Sequence, residues 1–132
     1  MSSSLSGRNV LIVEDEYLLA SALQEAVELL GGRVVGPFAR VQQAMQSIQT
    51  GEMPDVGLLD VNLGSEYSYP LADALVERGI PTVLITGYDP DALPEAYRSL
   101  SYLRKPFDLA SVSSTLERLT FPKPSPGEAR GP

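Results

Sequence analysis

Five short apolar runs, each too brief for a buried helix, punctuate the chain at intervals filled by amphipathic stretches. They are "NVLIV" from Asn9, "RVVGPF" from Arg33, "VGLLD" from Val56, "PTVLIT" from Pro81 and "SYLRK" from Ser101. Continuous runs rich in Val, Ile and Leu suit strands buried on both faces. Between the first two, Leu19, Ala22, Leu23, Ala26, Val27 and Leu30 recur at helical spacing, and Gly31-Gly32 stops the helix. Val41, Ala44, Met45 and Ile48 mark a second helix, closed by Gly51 and Pro54. Pro70 suits the first turn of a third, which carries Leu71, Ala74 and Leu75 and stops at Gly79. Asp108 is a good N-cap for a last helix with Leu109, Val112, Leu116 and Leu119 on one face. Strand and helix alternate throughout. That pattern predicts an α/β fold, a doubly wound five-stranded parallel sheet covered on both faces.

One interval breaks the pattern. From Gly87 to Tyr102, Pro90 and Pro94 interrupt the helical signal. They limit the expected fourth helix to about Pro94 through Ser99, with Ala96 and one of Tyr97 or Leu100 to bury. A helix under two turns is marginal, because nucleation is costly and few bonds repay it. The segment is therefore expected to be short and mobile.

In doubly wound folds, ligands bind beyond the carboxyl ends of the strands. The first strand here runs into Glu14, Asp15 and Glu16; the third ends at Asp60, the fourth at Thr86 and the fifth at Lys105. Taken alone, Asp60 would cap a turn, and Glu14 and Asp15 would be solvated acids before a helix. Gathered on one edge, the acids repel, and at least one carboxyl pKa must rise. A divalent cation removes the conflict. Carboxylates, a backbone carbonyl and waters form the incomplete oxygen cage that Mg²⁺ prefers, with open positions for phosphate oxygens. Lys105 offers an ammonium to the same phosphate, the Thr86 hydroxyl can donate to it, and Asp60 becomes a nucleophile toward phosphorus.

Composition removes several rival chemistries. The chain has no cysteine and no histidine, so thiolate metal sites, disulfides and histidine-based triads are excluded. A net charge of −7 argues against a nucleic-acid surface or docking on anionic lipid. No apolar stretch reaches the ~18 residues of a membrane span, and "MSSSLSGRN" lacks a signal-peptide apolar region. A cytoplasmic protein is expected.

"VEDE", "LLDVNL", "LITGY" and "YLRKPF" stand in order at four strand ends, and with them the chain from Arg8 to about Leu119 resembles the receiver domain of a two-component response regulator. "LITGYD" also resembles an alphaproteobacterial subgroup with a Phe-Ala-Thr-Gly-Tyr or Gly-Gly pattern at strand four, and its Ile85-Thr86 differs from Phe-Ala-Thr. The resemblance implies strand order 2-1-3-4-5 in a flavodoxin-like fold. It makes Asp60 the phosphoacceptor, with Mg²⁺ held by Glu14, Asp15, Asp60 and the backbone carbonyl of Asn62. Thr86 becomes the switch hydroxyl and Lys105 the phosphate partner. Tyr102 falls where the family keeps an aromatic rotamer switch; as a half-buried core tyrosine it needs no such role. Tyr67, Tyr69 and Tyr88 read as surface or loop residues, Tyr88 near enough to Thr86 to shield an acyl phosphate from water.

The implied function is Mg²⁺-dependent phosphoryl transfer from a histidine kinase or histidine phosphotransferase to Asp60, switching the binding of a downstream protein. The chain is then a phosphoacceptor, not an enzyme, and a monomer or weak dimer. A phosphatase of the haloacid-dehalogenase type would want a second Asp where Asn62 stands. A flavodoxin-like carrier would want a Ser/Thr/Gly phosphate loop where three acids stand. The closest rival is a pseudo-receiver, an interaction module that is never phosphorylated. Residues 1–7 are expected to be a flexible start, residues 8–120 the domain, and residues 121–132, rich in Pro and Gly, a disordered tail with output through another protein.

Overall fold

The computed structural model describes residues 5–51 and 53–120. The expected elements appear in order: β1 (Asn9–Val13), α1 (Tyr17–Leu29), β2 (Arg33–Phe38), α2 (Val41–Gln49), β3 (Val56–Asp60), α3 (Tyr69–Glu77), β4 (Thr82–Thr86), β5 (Ser101–Arg104) and α4 (Leu109–Thr120). All strands are parallel, in the order β2-β1-β3-β4-β5.

Period-two alternation along the strands divides the interior in two. Leu11 and Val13 of β1, Leu59 of β3 and Leu84 of β4 pack with Ala44 and Ile48 of α2 and Leu71 and Leu75 of α3. Val10, Ile12, Leu58, Val83 and Ile85 face the other way, toward Leu23 and Val27 of α1 and Val112 and Leu116 of α4. The strand side chains of both layers are buried, which is why β1, β3 and β4 read as unbroken apolar runs. Gly57 allows the close approach of α3: a Cβ there would lie 2.8 Å from Leu75 Cδ1.

The helix starts follow local chemistry. Pro70 sits in the first turn of α3, and Asp108 caps α4 by accepting the Ser111 N–H at 2.9 Å. That bond and the Ser111 hydroxyl hold the Asp108 carboxyl below its ordinary pKa. Leu109, expected on the inner face of α4, is largely exposed instead.

The expected N-terminal boundary is corrected. Residues 5–7 are part of the fold, not a flexible start. Leu5 is fully buried beside Val27, and its N–H donates to the Leu30 carbonyl at 2.9 Å. The expected tail, residues 121–132, lies outside the described residues.

The fourth helix is reduced further than its prolines alone suggested. The stretch holds two three-residue 3₁₀ turns, Pro90–Ala92 and Glu95–Tyr97, and no α-helical turn. Asp89 and Leu93, each preceding a proline, are extended with ψ of 150° and 152°, because the proline ring disfavours α geometry in the residue before it. Leu93 is the buried anchor, and Ala96, expected inside, is exposed.

Candidate functional site

The parallel ladder aligns the carboxyl ends of the strands. The Glu14 N–H donates to the Phe38 carbonyl at 2.9 Å, the Val61 N–H to Ile85 at 2.9 Å and the Lys105 N–H to Thr86 at 2.8 Å. These bonds bring residues far apart in sequence to one edge. Glu14, Asp15 and Asp60 each offer a carboxylate oxygen, and these oxygens lie within 4.8 Å of one another. Lys105 Nζ donates to Asp60 Oδ2 at 2.9 Å, and Asp60 Oδ1 accepts the Asn62 N–H at 3.1 Å. The Thr86 hydroxyl oxygen accepts the Tyr88 N–H at 3.0 Å. Glu14, Asp60 and Thr86 are each only 3% exposed, whereas Asp15 and Asn62 face solvent.

The raised carboxyl expected at this edge is that of Glu14. Burial, reinforced by Asp60 and opposed by the Glu16 N–H, pushes the Glu14 carboxyl up to about 8. One Glu14 oxygen accepts that N–H at 3.0 Å, but the other, Oε1, is buried without a hydrogen-bond partner. An orphaned carboxylate oxygen beside two further acids fits a hard divalent cation, which supplies both the missing partner and the missing charge. For Lys105, burial disfavours the ammonium. Its hydrogen bond to Asp60 and the charges of Asp60, Glu14 and Glu16 outweigh that, so its pKa is raised. Lys105 is thus a firmly charged group held against the Asp60 carboxylate.

Beside these groups opens a cleft of about 800 Å³, lined by Asp60, Asn62, Thr86, Lys105 and a wall of Tyr67, Tyr69, Tyr88 and Leu93 among others. Tyr67 and Tyr88 are exposed as expected. Tyr69 is not a free surface residue: it is half-buried, with its ring stacked on Tyr97 at 4.4 Å and on Tyr67 at 5.8 Å. Nothing in its sequence neighbourhood signals the pairing, because Tyr97 lies in the proline-broken segment. Tyr102 stands on the edge strand β5, paired with Leu84 and 42% exposed, so it is not a core tyrosine.

A doubly wound sheet with three acids, a threonine and a lysine on its carboxyl edge has the architecture of a signalling receiver. The response regulator receiver domain family matches residues 10–117, and the chain belongs to that family. It is therefore a receiver domain of two-component signalling. Among curated proteins it is 31% identical to the phyllosphere-induced regulator PhyR of Methylorubrum extorquens, over 85% of this chain and 43% of that protein. The chain spans half or less of the length of the curated relatives it matches. Among solved structures it resembles SdrG from Sphingomonas melonis Fr1, at 38% identity and TM-score 0.74, covering 89% of this chain and 98% of that one. It also resembles SdrG, attributed to Pseudomonas melonis Fr1, in a BeF3-activated conformation, at 37% identity and TM-score 0.72, with the same coverage. These likenesses bear out the alphaproteobacterial affinity read from "LITGYD". Among the described residues, no helix is long and apolar enough to cross a membrane.

Proposed function

We propose that this receiver accepts a phosphoryl group on Asp60 from the phosphohistidine of a histidine kinase or histidine phosphotransferase, and that the modification changes which protein it binds. The observation that carries this reading is the Asp60 carboxylate: buried, gripped by Lys105 at 2.9 Å and gathered with Glu14 and Asp15. A capping acid needs none of those neighbours. A relative solved in a BeF3-activated conformation adds support.

Glu14, Asp15, Asp60 and the Asn62 carbonyl would hold Mg²⁺, which when bound neutralises charge on the phosphoryl oxygens. An Asp60 oxygen forms the O–P bond as the P–N bond to the donor imidazole breaks, its electron pair staying on nitrogen. Lys105 then moves from the carboxylate to a phosphoryl oxygen. The Thr86 hydroxyl already accepts from Tyr88, so its own proton is free to donate to another. Tyr102, exposed on the edge strand, has room to turn its ring in response. The chain is a phosphoacceptor, not a turnover enzyme, and works in the cytoplasm as a monomer or weak dimer.

Intact-mass measurement with acetyl phosphate and Mg²⁺ tests the reading. One added phosphate is expected on the wild type, none on Asp60→Asn and none in EDTA. Phosphate on Asp60→Asn would move the acceptor elsewhere. No Mg²⁺-dependent gain on the wild type would leave the pseudo-receiver reading in its place.

A further inference from the structure

The connection from β3 to α3 is a small closed hairpin. Asn62 and Tyr67 form an antiparallel bridge, the Leu63 N–H donates to the Glu66 carbonyl at 2.8 Å, and the Ser68 N–H to Val61 at 3.0 Å. The Gly64 N–H donates to Asn62 Oδ1 at 2.8 Å. These bonds fix the hairpin's shape but not its place against β1, whose end carries Glu14 and Asp15. The hairpin's start is anchored by Val61 on Ile85 and Asn62 on Asp60, and two contacts further along set the rest. On one side Gly64, at φ +87°, lies against the acids: a Cβ there would sit 3.3 Å from Asp15 Oδ2. On the other, Glu66 Oε2 accepts the N–H of Val41, the first residue of α2, at 3.1 Å. Arg40 spans the same corner, donating to Ser65 Oγ at 2.6 Å and lying 4.0 Å from the Glu66 carboxylate.

The two Glu66 interactions differ in strength. The Arg40–Glu66 pair is long and solvent-exposed, so it contributes little. The Val41 bond is charge-assisted and sits at a helix N-terminus whose own cap residue, Arg40, makes no side-chain cap. Glu66 thus caps a helix from 25 residues away and fastens the hairpin as it does so.

We propose that Glu66 is a positioning residue for the metal edge: by tying the β3–α3 hairpin to the first turn of α2, it holds the Asn62 carbonyl beside Asp60. This rests on the Mg²⁺ reading above. Groups bonded directly to metal ligands change affinity by about 10–100-fold, and Glu66, which acts through the hairpin, belongs at the low end of that range.

The test is a Mg²⁺ titration of the unphosphorylated protein by calorimetry, with amide exchange measured on the metal-free protein. Glu66→Ala should bind Mg²⁺ about tenfold more weakly and exchange faster across residues 62–67, with β1 and β3 protected as in the wild type. Glu66→Gln keeps an oxygen for the Val41 N–H and should restore most of the affinity; Arg40→Ala should change it little. Wild-type affinity in a folded Glu66→Ala protein overturns the positioning role alone. So does a Glu66→Gln protein as weak as Glu66→Ala, since charge and not the Val41 bond would then matter. A wild type that binds no Mg²⁺ overturns the underlying reading, and the positioning role falls with it.

Discussion

Two connections leave neighbouring strands at the same edge and wall the same cleft, yet they are built differently. The one after β3 is closed by backbone bonds and tied to α2 by Glu66. The one after β4, residues 87–100, has two 3₁₀ turns and two prolines. It is held by the buried Leu93, by Arg98 Nε donating to the Leu93 carbonyl at 2.8 Å, and by the Tyr97 ring on Tyr69. An exposed pair between Asp89 and Arg104 closes its start. Both walls carry backbone bonds of their own. The first is tied to its neighbours by a charge-assisted bond at a helix start, the second by one apolar side chain, a ring contact and exposed polar pairs. Segments that move in response to a ligand come from the weakly held end of a structure. The β4–β5 connection, beginning one residue after Thr86, is therefore the wall that a phosphoryl group on Asp60 would move.

The sharpest way to break this comparison is to remove Leu93. Leu93→Ala should cost about 2–3 kcal/mol, taken from the local opening of its own segment. Amide exchange across residues 88–100 should speed roughly 100-fold, while residues 62–68 keep their protection. Equal acceleration of both connections would show that the two walls open as one unit.

Much of this contrast could be read from the residues, and part could not. Pro90 and Pro94 announce a broken helix because a proline constrains its own φ and the residue before it. The acid edge is equally legible, since buried strand runs that end in Glu14, Asp60, Thr86 and Lys105 place those groups together once the sheet is parallel. What stayed hidden are contacts between segments distant in the chain. Glu66 reads as one more loop acid, Tyr97 as a residue of a poor helix and Leu5 as part of a polar start. Their roles come from Val41, Tyr69 and Leu30, positions that no periodicity links to them. The 3₁₀ turns were missed for a related reason. Leu93 is buried from an extended position between the prolines, where a helical count does not look.

Charge gives a smaller effect with a definite sign. The Glu14 carboxyl is raised from 4.5 to about 8, first by burial. Between those values the folded state keeps a proton that the unfolded chain has released, so stability falls as pH rises. The carboxyl's contribution is full below about 4.5 and is lost as pH rises through about 8. Metal-free stability should therefore decline over that window, and Glu14→Gln should flatten the decline. Mg²⁺ must displace the same proton, so its affinity should rise with pH by up to about tenfold per unit until pH 8. Added Mg²⁺ should protect residues 62–67 and leave 88–100 unchanged. Protection of both would erase the distinction between the walls.

The smallest effect separates what holds the looser wall. Tyr97 contributes a ring, stacked on Tyr69 at an interplanar angle of 17°, and a hydroxyl that donates to Asp73 at 3.0 Å. Burial, followed by Asp73, raises the Tyr97 pKa, so the hydroxyl stays protonated and the bond stays formed at neutral pH. A stacked aromatic pair is worth about 0.5–1.5 kcal/mol beyond its buried area. A hydrogen bond this exposed contributes under about 1 kcal/mol, because water competes for both partners. Tyr97→Ala should speed amide exchange of residues 94–100 by about fivefold, and Tyr97→Phe by less than about twofold. If Phe is as damaging as Ala, the tie is the hydroxyl on Asp73. Both walls would then be held by polar bonds, and the difference between them would lie in number alone.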